Sequence, residues 1–240
     1  MMEKVAGHAP LGGAGVGDIV RSLPFLLVRM PKVLARTQAR VHALDAAPLV
    51  EGLADLPAGI ERWFESVDRH VAAGNPELEP GLDWLRANRP TEPHRSICHG
   101  DLWAGNLLMA RGRVTAVLDW SVATVGDPAL DVGFAAMSLA IAPIDASPRL
   151  ERIAVRNGGW IARRFVRAYQ KETGADLSHL PYYEAMRVVT ELVNVVDHRR
   201  ATASGDARDT PAPTWNRATD RMLAYFEART GVRMSLPPRV

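Results

Sequence analysis

The stretch CHGDLWAGNLLMARGRVTAVLDWSVATVGDPALDVG, residues 98–133, decides the fold class of this chain. Residues 107–109 form an apolar run, residues 111–113 (Arg-Gly-Arg) have the composition of a turn, and residues 114–118 are apolar and rich in β-branched side chains. Two short apolar runs separated by a turn that contains glycine are typical of a β-hairpin. We therefore predict a small hairpin inside a chain whose other segments are mainly helical.

Three polar side chains lie beside the predicted strands. Asn106 follows Asp101 by five positions, and Asp119 comes at the end of the second strand. This layout resembles the catalytic loop and the metal-binding Asp of protein kinases. Phosphoryl transfer needs one carboxylate beside the attacking hydroxyl and hard oxygen ligands for Mg²⁺ beside the phosphates. A loop joined to a hairpin is able to bring these groups to one point.

The same stretch resembles the signature of the aminoglycoside phosphotransferase-like family, which is related to the eukaryotic-type kinases. Residues 99–106 (HGDLWAGN) match a His-Gly-Asp-x-x-x-x-Asn pattern, residues 119–120 an Asp-Trp pair, and residues 126–131 (GDPALD) a Gly-Asp-Pro-x-x-Asp run. The resemblance implies an ATP-dependent or GTP-dependent O-phosphotransferase. Its partner would be a small molecule that offers a hydroxyl group as the acceptor.

The resemblance also implies a role for individual residues. Asp101 would be the catalytic base that takes the proton of the acceptor hydroxyl, and Asn106 and Asp119 would bind Mg²⁺. Leu108 and Leu118 would pack near the adenine of the nucleotide, because each neighbours a metal ligand along the hairpin.

Other residues of the stretch are expected to support the loop. The resemblance implies that His99 braces the loop and that Asp127 and Asp131 stabilise it by hydrogen bonds, without a part in the chemistry. Cys98, the only cysteine, is expected to be a small core residue.

The chain outside the hairpin is predicted to be helical, over about residues 19–47, 58–73, 81–88, 129–141, 149–173, 180–200 and 213–230. The fold class is thus α+β, mainly helical, with residues 18–240 resembling the C-terminal lobe of a protein kinase-like fold. Glu and Arg residues are mixed along the helices after Asp119, and most are expected on solvated helix faces.

Residues 1–17 resemble the hinge between the two lobes of such a kinase, followed by a flexible loop that is rich in glycine. If so, the backbone at Glu3 and Val5 would hydrogen-bond the adenine. No run of five strands with a nucleotide-binding lysine precedes the catalytic loop. We therefore expect the N-terminal nucleotide lobe to be missing from this chain, either lost or supplied by another chain.

Composition excludes several classes of protein. Lys and Arg total 29 and Asp and Glu total 27, and this balance argues against a dedicated nucleic-acid binder. No apolar stretch is long enough to span a membrane. A single cysteine permits no disulfide within the chain, and this fits a reducing, cytoplasmic setting.

Two other functions stay open at the level of sequence. The chain could be a catalytically inactive remnant or binding module that keeps the fold without its nucleotide lobe. It could also be a metal-dependent hydrolase that uses Asp101 and Asp119, although kinase chemistry explains their spacing better. The acceptor, the choice between ATP and GTP and the oligomeric state are not legible in the residues.

Overall fold

Helices dominate the structure, which is a computed structural model. It describes residues 6–8, 25–47, 63–65, 67–69, 76–91, 95–141, 148–205 and 213–236. The helices are α1 (Met30–His42), α2 (Glu79–Ala87), α3 (Ala129–Ile141), α4 (Pro148–Thr173), α5 (Leu180–Ser204) and α6 (Thr219–Thr230). A π-helical turn, Phe25–Arg29, precedes α1, and single 3₁₀ turns lie at Pro76–Leu78, Ala104–Asn106 and Thr214–Ala218. The mainly helical α+β fold class is confirmed.

Four strands within the described residues form two antiparallel pairs. The pair of β2 (Leu107–Ala110) with β3 (Arg113–Val117) is the hairpin that the sequence predicts. Its turn residues Arg111 and Gly112 have φ of 49° and 74°, and two consecutive positive φ values match the right-handed twist of a hairpin. The second pair joins β1 (Ser96–Cys98) to β4 (Thr124–Gly126).

The described part of the N-terminal segment adds to the hairpin. His8 and Met109 exchange two backbone hydrogen bonds of 3.0 and 2.9 Å, so residues 6–8 lie antiparallel to β2. The hydroxyl of Thr115 donates to the carbonyl of Ala6 at 2.9 Å. These three residues are therefore paired with the hairpin, although the sequence suggests a flexible loop over much of residues 1–17.

Helix α3 is the centre of the molecule and is buried on nearly all sides. A helix that is apolar around its whole circumference is typical of a core position. Small residues allow its neighbours to approach closely: a Cβ on Gly133 would lie 3.0 Å from the backbone of α5, and one on Gly158 of α4 would collide with the carbonyl oxygen of Ala140. Helices α4 and α5 pack against α3, and α1 packs against α4.

The N-terminus of α3 faces the loop between β1 and β2, and this arrangement determines where polar groups meet. Asp131 lies in its first turn. On α1, Pro31 occupies the first turn, where its missing N–H is not needed, and the buried face includes Leu34, Gln38 and Val41. That face points Gln38 towards the same loop.

Among the residues that the structure describes, no helix combines the length and the apolar composition that crossing a membrane requires.

Candidate active site

Asp101 and Asn106 are joined directly by hydrogen bonds within the β1–β2 loop. The 3₁₀ turn Ala104–Asn106 carries the asparagine back towards the start of the loop. Its Nδ2 donates to the backbone oxygen of Asp101 at 2.8 Å and to Oδ2 of the same residue at 3.0 Å. The spacing of five residues therefore closes a small ring that orients the Asp101 carboxylate.

Backbone hydrogen bonds of Leu118 hold the neighbouring Asp119 beside the same loop. The N–H of Leu118 donates to the carbonyl of Asn106 at 2.8 Å, and the carbonyl of Leu118 contacts Nε2 of His99 at 2.8 Å. Asp119 and Asp101 are close enough for the charge of Asp119 to act on the pKa of Asp101. The structure thus brings Asp101, Asn106 and Asp119 together.

The backbone of Asp119 is left-handed, with φ of 60°. Such a conformation is uncommon outside glycine and costs on the order of 1 kcal/mol or more, although Asp tolerates it better than most residues. The hydroxyl of Ser121 donates to its Oδ1 at 2.6 Å. This bond, with one from the backbone N–H of Ser121, lowers the pKa of Asp119. The result is an exposed, ionised carboxylate at the end of the hairpin.

Arg187 of α5 contacts the Asp101 carboxylate, which is partly buried. Its Nη2 lies 3.1 Å from Oδ1 of Asp101 and 2.7 Å from Oε1 of Glu191, and its guanidinium stacks 3.7 Å from the ring centroid of Phe134. Burial raises the pKa of Asp101, and the Arg187 charge and the Asn106 hydrogen bond partly oppose that rise. Arg187 and Asn106 therefore occupy one carboxylate oxygen each.

The sequence does not point to Arg187 as part of this site. It lies 86 positions from Asp101, and the expectation for the mixed charges of the late helices is a solvated surface. Three of these charges are not solvated: Glu184, Glu191 and Arg199 are each only 6% exposed. Glu191 pairs with Arg187, Glu184 pairs with Arg229, and Arg199 bonds to Asn216 and Thr219. No local pattern of residues predicts these pairings.

His99 is buried and braces the loop from inside. The N–H of Asp101 donates to its Nδ1 at 3.2 Å, so Nδ1 is the acceptor and Nε2 carries the hydrogen that Leu118 accepts. The ring lies 4.7 Å from that of Trp120, centroid to centroid. Both nitrogens are thus engaged with the backbone, and His99 links the loop to the end of the hairpin.

Asp131 anchors the loop from α3. Its Oδ2 accepts the N–H of His99 at 2.8 Å, and its Oδ1 accepts the N–H of Gly100 at 2.7 Å. His42 contributes Nε2 at 3.0 Å from Oδ2, and Gln38 donates to the backbone oxygen of Leu102 at 3.0 Å. The buried carboxylate is therefore satisfied by three donors. Among these groups, Gln38 and His42 are partners that the sequence does not reveal.

Asp127 has a local structural contact and a longer one. Its Oδ1 accepts the N–H of Ala129 at 2.8 Å, which satisfies a free donor at the start of α3. Its Oδ2 lies 3.3 Å from Nδ1 of His179, just before α5. Asp127 and Asp131 thus fix α3 to its surroundings, and neither carboxylate points away from these partners towards the hairpin.

The surface beside the hairpin is apolar. Leu118 is 40% exposed and Leu108 is half-buried. Residues 6–8 pass along the same strand as Leu108. Glu3 and Val5, which the resemblance suggests for adenine binding, lie outside the described residues.

The donor set of Asn106 and Asp119 suits a hard cation. Because the amide nitrogen of Asn106 bonds to Asp101, the amide oxygen is the side-chain atom that remains for a cation. Asp119 adds an ionised, accessible carboxylate. Mg²⁺ prefers oxygen ligands of this kind and takes few of them from the protein. These two residues therefore fit the ion that the resemblance implies.

A second group of metal-type side chains consists of His42, Cys98 and Asp131 in the core. Cys98 is fully buried, as predicted, and burial raises the pKa of its thiol well above the usual value. A protonated thiol is a poor metal ligand. His42 also meets the hydroxyl of Tyr169 at 2.7 Å. We interpret this group as core residues, of which His42 and Asp131 bond to each other and Cys98 bonds to the backbone of Asp127.

Comparison with known proteins identifies relatives of this chain. A family model described as "Phosphotransferase enzyme family" matches residues 24–169. A solved protein from Ralstonia eutropha, provisionally assigned as an aminoglycoside phosphotransferase, is 24% identical, with a TM-score of 0.65 over 96% of this chain and 71% of that chain. A thermostable aminoglycoside phosphotransferase variant, solved with ADP and hygromycin B, is 19% identical, with a TM-score of 0.53 over 95% and 71%. At these identities the solved structures show the fold alone.

A curated relative has a different name. Acyl-CoA dehydrogenase family member 11 of Mus musculus is 24% identical over 191 residues, which are 76% of this chain and 20% of that protein. The chain spans a fifth or less of the length of the curated relatives that it matches.

Proposed function

We propose a reaction for this chain on the premise that it belongs to the phosphotransferase enzyme family. In this reaction the chain transfers the terminal phosphoryl group of ATP or GTP to a hydroxyl group of a small molecule. The observation that carries the proposal is that Asn106 bonds to the Asp101 carboxylate, while the backbone of Leu118 bonds to Asn106 and so holds Asp119 beside the same loop. A base for the hydroxyl and oxygen ligands for a cation are the parts that this reaction requires.

Asp101 is the base in this proposal. Its carboxylate is partly exposed, whereas Asn106 and Arg187 fix its two oxygens from the protein side. An acceptor hydroxyl that donates to the free lone pairs of Asp101 is aligned for attack, and the proton passes to the carboxylate as the phosphoryl group is transferred. Fixing the carboxylate in advance reduces the freedom that the transition state must give up.

Asn106 and Asp119 are the proposed ligands of Mg²⁺. When bound, the ion would neutralise charge on the phosphate oxygens. The hydrogen bond from Ser121 keeps Asp119 ionised, and the bond from Asn106 to Asp101 keeps the amide oxygen turned away from the base. The two residues thus separate the position of the cation from that of the attacking hydroxyl.

The nucleotide would lie on the apolar surface beside the hairpin. Leu108 and Leu118 are accessible there, and residues 6–8 run alongside β2, as a hinge strand would. This placement supports a hinge at the start of residues 1–17, with the backbone of Glu3 and Val5 meeting the base of the nucleotide. The ADP complex of a protein with this fold supports a nucleotide as the phosphoryl donor.

Residues 18–240 are then the lobe that carries the catalytic loop, and the phosphates would need further donors from a nucleotide lobe. Leu118, Trp120 and Val122 are between 40% and 54% exposed around the hairpin. Exposed apolar groups that cluster in this way mark a surface that another part of a protein covers. We expect this reaction in the cytoplasm, where ATP is available and a single thiol stays reduced.

The acceptor side of the site carries both signs of charge. Arg187 lies between the carboxylates of Asp101 and Glu191. A site for a strongly cationic antibiotic would show a plainer excess of acidic groups, so the residues described here do not favour that class of acceptor.

The test uses the full-length natural protein and measures ADP release in the presence of a panel of hydroxylated small molecules. We expect at least one acceptor to stimulate release, and we expect Asp101→Asn to lower kcat by roughly 10²–10⁴-fold, as loss of a general base does. Asp83→Asn removes an exposed carboxylate of α2 and is the matched control. Equal activity of the wild type and Asp101→Asn would contradict the proposal.

A further inference from the structure

A cavity of about 570 Å³ lies between α3, α4, α5 and α6. Its volume falls within the range of roughly 300–1,000 Å³ that small-molecule sites occupy. Much of its wall is apolar, with the short side chains of Ala136, Ala140 and Ala162 beside Val166 and Leu180. None of Asp101, Asn106 and Asp119 lines it, so it is separate from the proposed catalytic site.

Two solvent-exposed guanidinium groups border this cavity. Arg163 and Arg167 lie one turn apart on α4 and both line the cavity. Within the described residues, neither makes a hydrogen bond or an ion pair. Side chains at positions i and i+4 share one face of a helix, so the two groups are able to reach one ligand.

The remaining polar groups of the wall contrast with this pair because they satisfy one another. Glu184 accepts hydrogen bonds from the hydroxyl of Tyr225 at 2.7 Å and from Nε of Arg229 at 2.9 Å. Arg229 also stacks on the ring of Tyr225, 3.6 Å from its centroid. The carboxylate of Glu184 is thus already committed, and the uncompensated charge of the cavity is positive.

Gly159 keeps part of this space open. A Cβ at this position would meet only Nη1 of Arg163, at 3.5 Å, which is ordinary contact. Packing therefore does not require a glycine here, in contrast to Gly158, where a Cβ would collide with the backbone of α3. Glycine inside a helix costs about 1 kcal/mol relative to alanine. Gly159 therefore lowers the stability of α4 at the wall of the cavity.

The helix that carries the two arginines is basic along its length. Seven of the residues of α4 are Arg or Lys and two are Glu. Several like charges on one element raise the local concentration of anions. This field and the two free guanidinium groups favour a negatively charged ligand, and the alanine-rich wall favours an apolar body on the same ligand.

We propose that this cavity binds a small anionic amphiphile, whose carboxylate or phosphate group lies between Arg163 and Arg167 and whose apolar part packs against Ala136, Ala140 and Ala162. The free guanidinium groups supply charge-assisted hydrogen bonds to the anion. The short side chains of the wall supply the volume. The site is additional to the phosphotransferase centre, and binding to it does not depend on that activity.

Calorimetric titration of the chain with octanoate and with octyl phosphate tests the proposal. We expect saturable binding of one molecule per chain for at least one of the two anions, and the stronger of them identifies the head group. Octylammonium, with the same chain and the opposite charge, should not bind. Inorganic phosphate should bind more weakly than octyl phosphate because it lacks the apolar part.

Two variants and a matched control place the binding in the cavity. Combined Arg163→Gln and Arg167→Gln should weaken binding by about tenfold or more, since charge-assisted bonds to the anion are lost. Gly159→Leu should also weaken it, by occupying the space. Combined Arg149→Gln and Arg156→Gln removes the same charge from two other exposed positions of α4, which differ from Arg163 and Arg167 in that they do not line the cavity, and should bind as the wild type does.

Three results would overturn the proposal. The first is an absence of binding by both octyl anions, and the second is equal binding of octylammonium. The third is an equal loss of affinity in the control variant, which would show that only the general charge of α4 attracts the anion. Thermal unfolding of each variant, compared with the wild type, confirms that the tested proteins are folded.

Discussion

Burial raises the pKa of Asp101, and nearby groups lower it. Among those groups Arg187 has the largest effect. Replacing Arg187 by Met keeps an apolar stem over Phe134 but removes the charge beside the carboxylate. The pKa of Asp101 should then rise, because desolvation by burial is less compensated.

We therefore expect Arg187→Met to move the acid limb of the pH profile of kcat/KM to higher pH, measured in the full-length protein with an acceptor. Arg187→Lys retains a positive charge and should move the limb less. An acid limb that stays in place in Arg187→Met, with activity otherwise preserved, would show that Asp101 is not the group that titrates in catalysis.

Glu191 offers a pH-dependent test of stability. Its pKa is raised, chiefly by burial, and Arg187 lowers it only in part. The folded protein therefore binds this proton more tightly than the unfolded chain does. Between the unfolded and the folded pKa, the free energy of unfolding falls as the pH rises, and the cost stays in place above the folded pKa.

Glu191→Gln removes that dependence. On acidification from about pH 7 to about pH 4, urea unfolding should show the wild type gaining stability relative to the variant, because the wild-type carboxyl becomes neutral. Glu172→Gln is the control. Arg36 lowers the pKa of the exposed Glu172, so its pH dependence should have the opposite sign. The same sign for both variants would contradict the account of Glu191.

At the scale of elements, α3 and the β1–β2 loop are one unit because Asp131 joins them. The N–H groups of His99 and Gly100 and the ring of His42 all point at this carboxylate. Asp131→Asn replaces one acceptor oxygen by a donor, which then faces another donor in a buried place. Leaving a buried donor unsatisfied costs about 1–3 kcal/mol, and more for a charged partner.

We expect Asp131→Asn to lower the free energy of unfolding by about 3 kcal/mol in urea titrations, and to weaken catalysis through displacement of the loop. Asp83→Asn, an exposed change, should alter stability by less than about 0.5 kcal/mol. An Asp131→Asn protein as stable as the wild type would mean that this carboxylate does not hold the β1–β2 loop in place.

The same scale shows what a sequence is able to predict. The hairpin and α3 follow from local signals: a glycine turn between apolar runs, and an apolar stretch after Asp127-Pro128. The short strand β4 carries no such signal, because three residues are too few to show alternation. It exists because β1 lies opposite, from Ser96 to Gly126.

The residues of the candidate site also differ in whether a local signal or tertiary packing brings them together. Asp101, Asn106 and Asp119 are close in sequence, and a short loop is enough to predict that they meet. Arg187, Gln38 and His42 come from distant helices, and their contact with the loop depends on how those helices pack. Charge alone favours a solvated position for such residues, and only tertiary packing reverses it.

At the scale of the whole molecule, the proposed catalytic centre lies beside an apolar surface around the hairpin. The cation position at Asn106 and Asp119 is the feature on which the proposed chemistry depends. It belongs to residues of this chain, so it is open to measurement without knowledge of the acceptor.

The most direct test is to map a paramagnetic cation on this 240-residue chain by NMR. With Mn²⁺ and ADP, we predict that amide signals of residues 101–106 and 118–121 broaden first, and that Asp119→Ala abolishes this broadening while Asp83→Ala leaves it unchanged. Broadening centred on another part of the chain, or broadening at these residues that persists in Asp119→Ala, would contradict the assignment of this loop and hairpin as a phosphotransferase centre.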